Sequence, residues 1–204
     1  NIEQKQKKDI IPSVSSVEAK PTADTYDIII AHSIDYHIDL EKSVTWAQVS
    51  LDAEKNKLSI HVDNNESENA RNAVIMLIGD GISKKIEIKQ NPAIIELSST
   101  NISLSSVEND FTFSISSNVP LTYSINEAAA SWIIAKEILN TKMKFNASEN
   151  NTREDRCGEI SVLFGKLCKT ISVSQDCHNI LTYTTSDGNT ISPSNSLKVI
   201  SNTY

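Results

Sequence analysis

The chain has 204 residues, enough for one large domain or two of about 100 each. At 39% hydrophobic residues it can bury a core, and its net charge of −7 argues against nonspecific nucleic-acid binding and disfavours anionic lipid. No apolar run reaches the length of a membrane span, and the opening stretch NIEQKQKKDI lacks the apolar centre of a signal peptide. That fits either a cytosolic protein or a secreted one whose leader has been removed. The prominence of Ser, Thr, Asn and Ile favours the second.

In chain order, the segments 25–30 (TYDIII), 36–40 (YHIDL), 57–62 (KLSIHV), 73–79 (AVIMLIG) and 82–89 (ISKKIEIK) are β-branched or alternate apolar with polar residues. Both patterns predict strands. Asp80-Gly81 between the last two predicts a two-residue type I′ turn. That turn sets Gly79 opposite Ile82, Leu77 opposite Lys84, Ile75 opposite Ile86, Ala73 opposite Ile88 and Arg71 opposite Gln90. A slip of one residue would turn the apolar row into water. Asn91-Pro92 then stops the ladder, because proline lacks the N–H and favours an extended residue before it.

The rest of the chain repeats the first part. Shifted by 85 positions, Tyr26, Ile28 and Ile30 meet Phe111, Phe113 and Ile115. Tyr36, Ile38 and Leu40 meet Leu121, Tyr123 and Ile125. Leu58, Ile60 and Val62 meet Met143, Phe145 and Ala147. Ile75, Leu77, Ile86 and Ile88 meet Ile160, Val162, Ile171 and Val173. Only Trp46 and Trp132, the two tryptophans of the chain, slip by one. A period this long is domain-sized rather than a solenoid unit, so each copy must bury its own core.

The expected fold is all-β, with two tandem immunoglobulin-like β-sandwich domains. The boundaries expected are a tail at 1–8, a first sandwich at 9–92, a second at 93–177 and an extension at 178–204. The stretch 126–139 (NEAAASWIIAKEIL) is the nearest to a helix. Because it aligns with 45–50 (TWAQVS), Ser131–Lys136 is expected as a strand. In the second hairpin Gly165-Lys166 should form a type II′ loop, with Ile160 opposite Ile171 and Arg156 opposite Gln175. The Arg and Gln then close the open end of each hairpin, and their expected role is a hydrogen bond that pins the strand ends.

Motifs that carry chemistry are scarce. His32, His37, His61 and His178 lack zinc-ligand spacing, and there is no Cys-x-x-Cys, nucleophile elbow, phosphate loop or dinucleotide fingerprint. Cys177 and His178 are neighbours in an extended chain and cannot face each other. No catalytic residue, metal ligand or cofactor is expected. The loops 63–69 and 149–155 carry acidic residues without the ordered spacing of a calcium site and read as solvated turns. Cys157 and Cys168 share an outer face but lie too far apart for a bridge, a Cys157–Cys177 bridge needs a bend after Gln175, and free thiols are the expectation. Sugar binding would call for exposed aromatics. Trp46 and Trp132 are expected in the two cores, leaving Tyr36, Tyr183 and Tyr204 as weaker candidates, and the ligand-binding residues undetermined.

The paired motifs bring a family resemblance. Each copy has Ser/Thr-Trp (Thr45-Trp46, Ser131-Trp132), an acidic Asn-containing stretch (DNNESENAR, SENNTREDR), an Arg, paired strands and a terminal Gln. Over 9–176 this resembles the BACON domains, carbohydrate-binding-associated modules of gut bacterial surface proteins. The resemblance implies immunoglobulin-like sandwiches, an extracytoplasmic site on the outer-membrane surface as a lipoprotein or in secreted form, and a non-catalytic role in adhesion. Glycan or mucin, or a host surface protein, is the partner it implies, with the chain a monomer. The alternative is a spacer that holds a C-terminal adhesive or catalytic region away from the membrane. The segment YTTSDGNTISP in the extension is similar to the lead-in of BspA-like leucine-rich repeats and predicts a short hairpin around Asp187-Gly188.

Overall fold

The structure is a computed structural model that describes residues 7–178, together with the backbone of 183–184 and 190–191. Among the described residues there is no helix, and the strands form two sandwiches of immunoglobulin type.

The first sandwich contains β1 (Ile10–Pro12), β2 (Ser16–Ala19), β3 (Asp24–His32), β4 (His37–Leu40), β5 (Ala47–Asp52), β6 (Lys57–Val62), β7 (Arg71–Gly79) and β8 (Ile82–Gln90). One sheet has the order β1-β3-β6-β5 and the other β2-β8-β7-β4. The opening segment thus divides between the sheets, β1 antiparallel to β3 and β2 parallel to β8, with Ala19 beside Gln90. The β7–β8 register is the predicted one from Gly79↔Ile82 to Arg71↔Gln90. Asp80 and Gly81 both have positive φ (46° and 77°), as a type I′ turn requires.

The second sandwich repeats this element for element: β9 (Ile95–Leu97), β10 (Asn101–Leu104), β11 (Asn109–Ser117), β12 (Thr122–Ile125), β13 (Ile133–Leu139), β14 (Lys142–Ala147), β15 (Arg156–Phe164) and β16 (Leu167–Gln175). Its sheets run β9-β11-β14-β13 and β10-β16-β15-β12. Again the second strand is parallel to the last, Leu104 beside Gln175. Gly165 has φ +56° while Lys166 does not turn positive, the pattern of a type II′ loop. Beyond it, β17 (Tyr183–Thr184) pairs antiparallel with β18 (Thr190–Ile191), and the Asp187-Gly188 turn expected there lies outside the described residues.

Inward rows build the cores. In the first copy Ile28, Ile30, Leu58, Ile60, Ile75, Leu77, Ile86 and Ile88 are nearly inaccessible. In the second, Phe113 and Phe145 replace Ile28 and Ile60, and Phe145 stacks on both Phe111 and Phe113 at 5.8 Å between centroids. The added volume is offset by smaller neighbours. Val162 stands for Leu77, Val173 for Ile88 and Gly158 for Ala73, which keeps interior packing dense.

The expected strand at Ser131–Lys136 is corrected at its start. Ser131 and Trp132 lie in a helical turn, and β13 begins at Ile133. Ala130 N–H donates to Asn126 O (3.0 Å) and Ile133 N–H to Ala129 O (2.9 Å). The Asn126 side chain caps this turn, accepting from the N–H of Ala129 (3.1 Å) and of Glu159 (3.0 Å). Three successive alanines favour it locally. The slip of one at tryptophan follows. The β12–β13 connection is one residue longer than β4–β5, a bulge between Ala135 and Glu137 adds another, and Asn140-Thr141 replaces the four-residue loop 53–56, restoring the shift of 85.

Candidate functional site

At one end of each sandwich a buried polar network joins the last strand, the loop before β7 or β15, and the opening segment. Gln90 and Gln175 are fully buried. Arg71 Nε donates to Gln90 Oε1 (2.7 Å) and Arg156 Nε to Gln175 Oε1 (2.9 Å). The Gln90 amide donates to Lys20 O (2.9 Å) and Asp63 O (2.8 Å), and the Gln175 amide to Val107 O (3.1 Å) and Ser148 O (3.0 Å). Arg71 Nη2 continues to Asp63 O (2.8 Å), Arg156 Nη2 to Ser148 O (2.6 Å). The predicted Arg–Gln bond is therefore present in both copies, and each side chain also closes a loop.

Each guanidinium lies over an indole, Arg71 4.5 Å from the centroid of Trp46 and Arg156 4.4 Å from that of Trp132. Burial lowers the pKa of both arginines, and Asp63 and Glu66 oppose this at Arg71. Both remain cationic, so the ring faces and carbonyl oxygens replace the lost hydration. The tryptophans differ in depth. Trp132 is 5% exposed, with Nε1 donating to Ala128 O (2.8 Å), whereas Trp46 is only half-buried at the edge of its core. The expectation that both sit in the core is thus corrected for Trp46. The deeper position in the second copy depends on Gly158. A Cβ on Gly158 would lie 2.2 Å from Ala129 Cβ and 3.1 Å from Trp132, so only glycine lets that turn sink in, and the first copy has Ala73 there.

Two residues in this network escaped the sequence reading. Asn65 and Asn150 sit at the centres of the acidic loops and are buried. Asn65 Nδ2 donates to Asn69 O and Asn91 O, both 2.9 Å, and Asn150 Nδ2 to Glu154 O and Asp176 O, both 3.0 Å. The solvated-turn reading of these loops is corrected. Their exteriors face water, but each is built around an asparagine that stitches it to the end of the last strand. The signal was present as Asn-x-Ser/Thr (Asn65-Glu66-Ser67, Asn150-Asn151-Thr152) at equal repeat positions. Among the described residues no group of three or more His, Cys, Asp or Glu side chains is placed to hold a metal. Cys157 is exposed and carries a free thiol, so neither a 157–168 nor a 157–177 bridge forms.

A different feature lies in the first copy. His32 ends β3, Tyr36 precedes β4, and Asn56 closes the β5–β6 loop; with Asp35, Leu51 and Ala53 they line an open hollow of about 320 Å³. His32 meets Tyr36 edge to face, 5.1 Å between centroids. His32 Nδ1 is 2.9 Å from Ile34 O, and Nε2 is 3.0 Å from Asn56 Oδ1. Asn56 adopts φ +51°, a conformation asparagine tolerates, and its carbonyl accepts from Ile30 N–H (2.8 Å), which fixes the loop to β3. Gly79 is needed below. A Cβ there would stand 2.1 Å from Asp35 O, so glycine lets the Asp35–Tyr36 backbone lie on β7. Burial pushes the Tyr36 phenol up, keeping it neutral. Tyr183 and Tyr204 side chains lie outside the described residues.

The comparisons agree with this architecture. Residues 37–91 match the family model BACON, described as "Putative binding domain, N-terminal", and residues 94–178 match BACON_2, "Viral BACON domain". The chain carries two tandem BACON-type domains. A search of curated proteins finds no match. Among solved structures, the I9–I11 tandem of titin is similar over 85% of this chain and 67% of that one, at 13% identity and a TM-score of 0.52. Titin I67–I69 is similar over 82% and 65%, at 6% identity and a TM-score of 0.41. A xyloglucanase of Bacteroides ovatus, in complex with a heptasaccharide, is similar over 45% of this chain and 20% of that one, at 19% identity and a TM-score of 0.37. The titin tandem I9–I11 supports the immunoglobulin-like fold of the BACON pair and nothing beyond it. Among the described residues no helix is long and apolar enough to cross a membrane.

Proposed function

We propose that this BACON pair is a non-catalytic part of a bacterial surface protein, extracytoplasmic through a lipid anchor or secretion, that takes part in adhesion by recognising glycan or mucin. The observation that carries the reading is the contrast between the copies. The polar residues they share, Arg71, Gln90, Asn65 and their counterparts, are bonded internally and hold loops in place. Where those residues are shared, the first copy also carries a hollow lined by His32, Tyr36, Asp35 and Asn56, a mix of aromatic and polar residues expected of a small-ligand site. A host surface protein bearing such glycans fits the same reading.

The test is a glycan and mucin screen with the 1–204 protein. Specific, saturable binding is the expected result. Absence of binding would favour the second reading, a spacer presenting a following region such as leucine-rich repeats. That reading draws on the shared polar residues, all of which serve the scaffold.

A further inference from the structure

We propose that the hollow lined by His32, Asp35, Tyr36, Leu51, Ala53 and Asn56 is a subsite for a single pyranose ring, and that the second copy has no equivalent. The inference rests on the glycan-binding reading and gives it a location. A pyranose presents a face of C–H groups and a rim of hydroxyls, so it needs a flat apolar wall beside donors and acceptors. Tyr36 supplies a half-buried ring packed against the His32 ring, and Leu51, 39% exposed, adds apolar surface to the lining. Asp35 and Asn56 are also in the lining, a carboxyl group and an amide that offer polar partners to hydroxyls. About 320 Å³ lies at the small end of ligand sites, which suits one ring rather than an extended chain.

The parts are also preorganised. Asn56 is fixed by its bond to β3 and by His32, and the Tyr36 backbone rests on Gly79. The Asn56 side chain therefore has less freedom to lose when a sugar enters. In the second copy Ser117, Pro120 and Leu121 stand at the positions of His32, Asp35 and Tyr36. Phe164 replaces Gly79, and the loop that carries Asn56 is shortened to Asn140-Thr141.

The experiment is a titration of isotope-labelled 1–204 protein with methyl glucoside, methyl galactoside, N-acetylglucosamine and fucose, followed by amide chemical shifts. A ligand this small should bind with a dissociation constant on the order of millimolar. The expected result is that at least one sugar shifts the Asn56 side-chain amide and the backbone amides of His32 and Tyr36, leaving Ser117 and Leu121 unmoved. Tyr36→Ala should weaken that binding about tenfold or more, and Tyr36→Phe by no more than about threefold, since stacking is kept. Asn56→Gly preserves the positive φ and should also weaken it, by about threefold to tenfold. Tyr123→Ala, at the exposed tyrosine of the second copy, should leave it unchanged. Shifts confined to another surface, or equal binding by Tyr36→Ala and Asn56→Gly, would overturn the subsite while the glycan reading stands. No binding of any sugar here or in the wider screen would overturn both.

Discussion

Replacing Gln90 with leucine is expected to destabilise the first sandwich by about 3 kcal/mol, although the side chains are similar in size. Leucine removes the oxygen that accepts from Arg71 Nε and the amide that donates to Lys20 O and Asp63 O. A buried cationic N–H and two carbonyls then lose a partner. The more informative variant is Gln90→Glu. A carboxylate would give Arg71 a counter-charge, but its second oxygen would face the two carbonyl oxygens that the amide now serves. We expect Gln90→Glu to be destabilising as well, by about 1–3 kcal/mol. Hydrogen exchange resolved along the chain checks both, because protection should fall in β2, β7 and β8 while β10, β15 and β16 keep theirs. A Gln90→Glu protein more stable than the parent would show that the ion pair outweighs the amide bonds.

Gly158→Ala should cost the second sandwich about 2–3 kcal/mol. Its methyl would stand 2.2 Å from Ala129 Cβ, an inaccessible atom on a capped turn with no flexible end to move aside. Relief requires the turn 126–132 to lift, weakening both bonds to Asn126 Oδ1 and drawing Trp132 toward water. Unfolding should shift to lower denaturant, and Trp132 emission should move to the red. The double variant Gly158→Ala with Ala129→Gly should recover most of the loss, because it removes the atom that collides. Ala73→Gly in the first copy offers a control. It should cost about 1 kcal/mol through strand entropy and leave Trp46 emission nearly unchanged.

How much of this is legible in the sequence differs by residue. The Arg71–Gln90 bond follows from the Asp80-Gly81 turn and alternation along two strands, both local rules. Asn65 and Asn150 are marked in the sequence only by an Asn-x-Ser/Thr at equal repeat positions; their burial is not legible there, because it depends on the carbonyls of Asn91 and Asp176, distant in sequence. The turn at Asn126–Trp132 departs from the expected strand because the local preference of three alanines outweighs the pattern of the first copy. Trp46 and Trp132 are counterparts offset by one residue, and the depth of Trp132 depends on the longer turn before β13 and the space left by Gly158 on a facing strand. The hollow is harder still. Tyr36 alone was a visible candidate, but His32 and Asn56 reach it from two other segments, and only the pairing of β3 with β6 brings those together.

The parallel pairs β2·β8 and β10·β16 have a mechanical consequence. In each copy the early strand and the last strand run side by side in the same direction, four residues in register. Tension drawing the start of one copy away from its end would pull these two strands lengthwise past each other. The bonds between them would all bear load at once, where an antiparallel hairpin pulled at its open end parts one bond at a time. Gln90 and Gln175 stand at the far end of those same pairs, fastened to the residues that follow β2 and β10. A chain pulled from its two ends would therefore meet its greatest resistance where each module begins and ends, before its core is exposed.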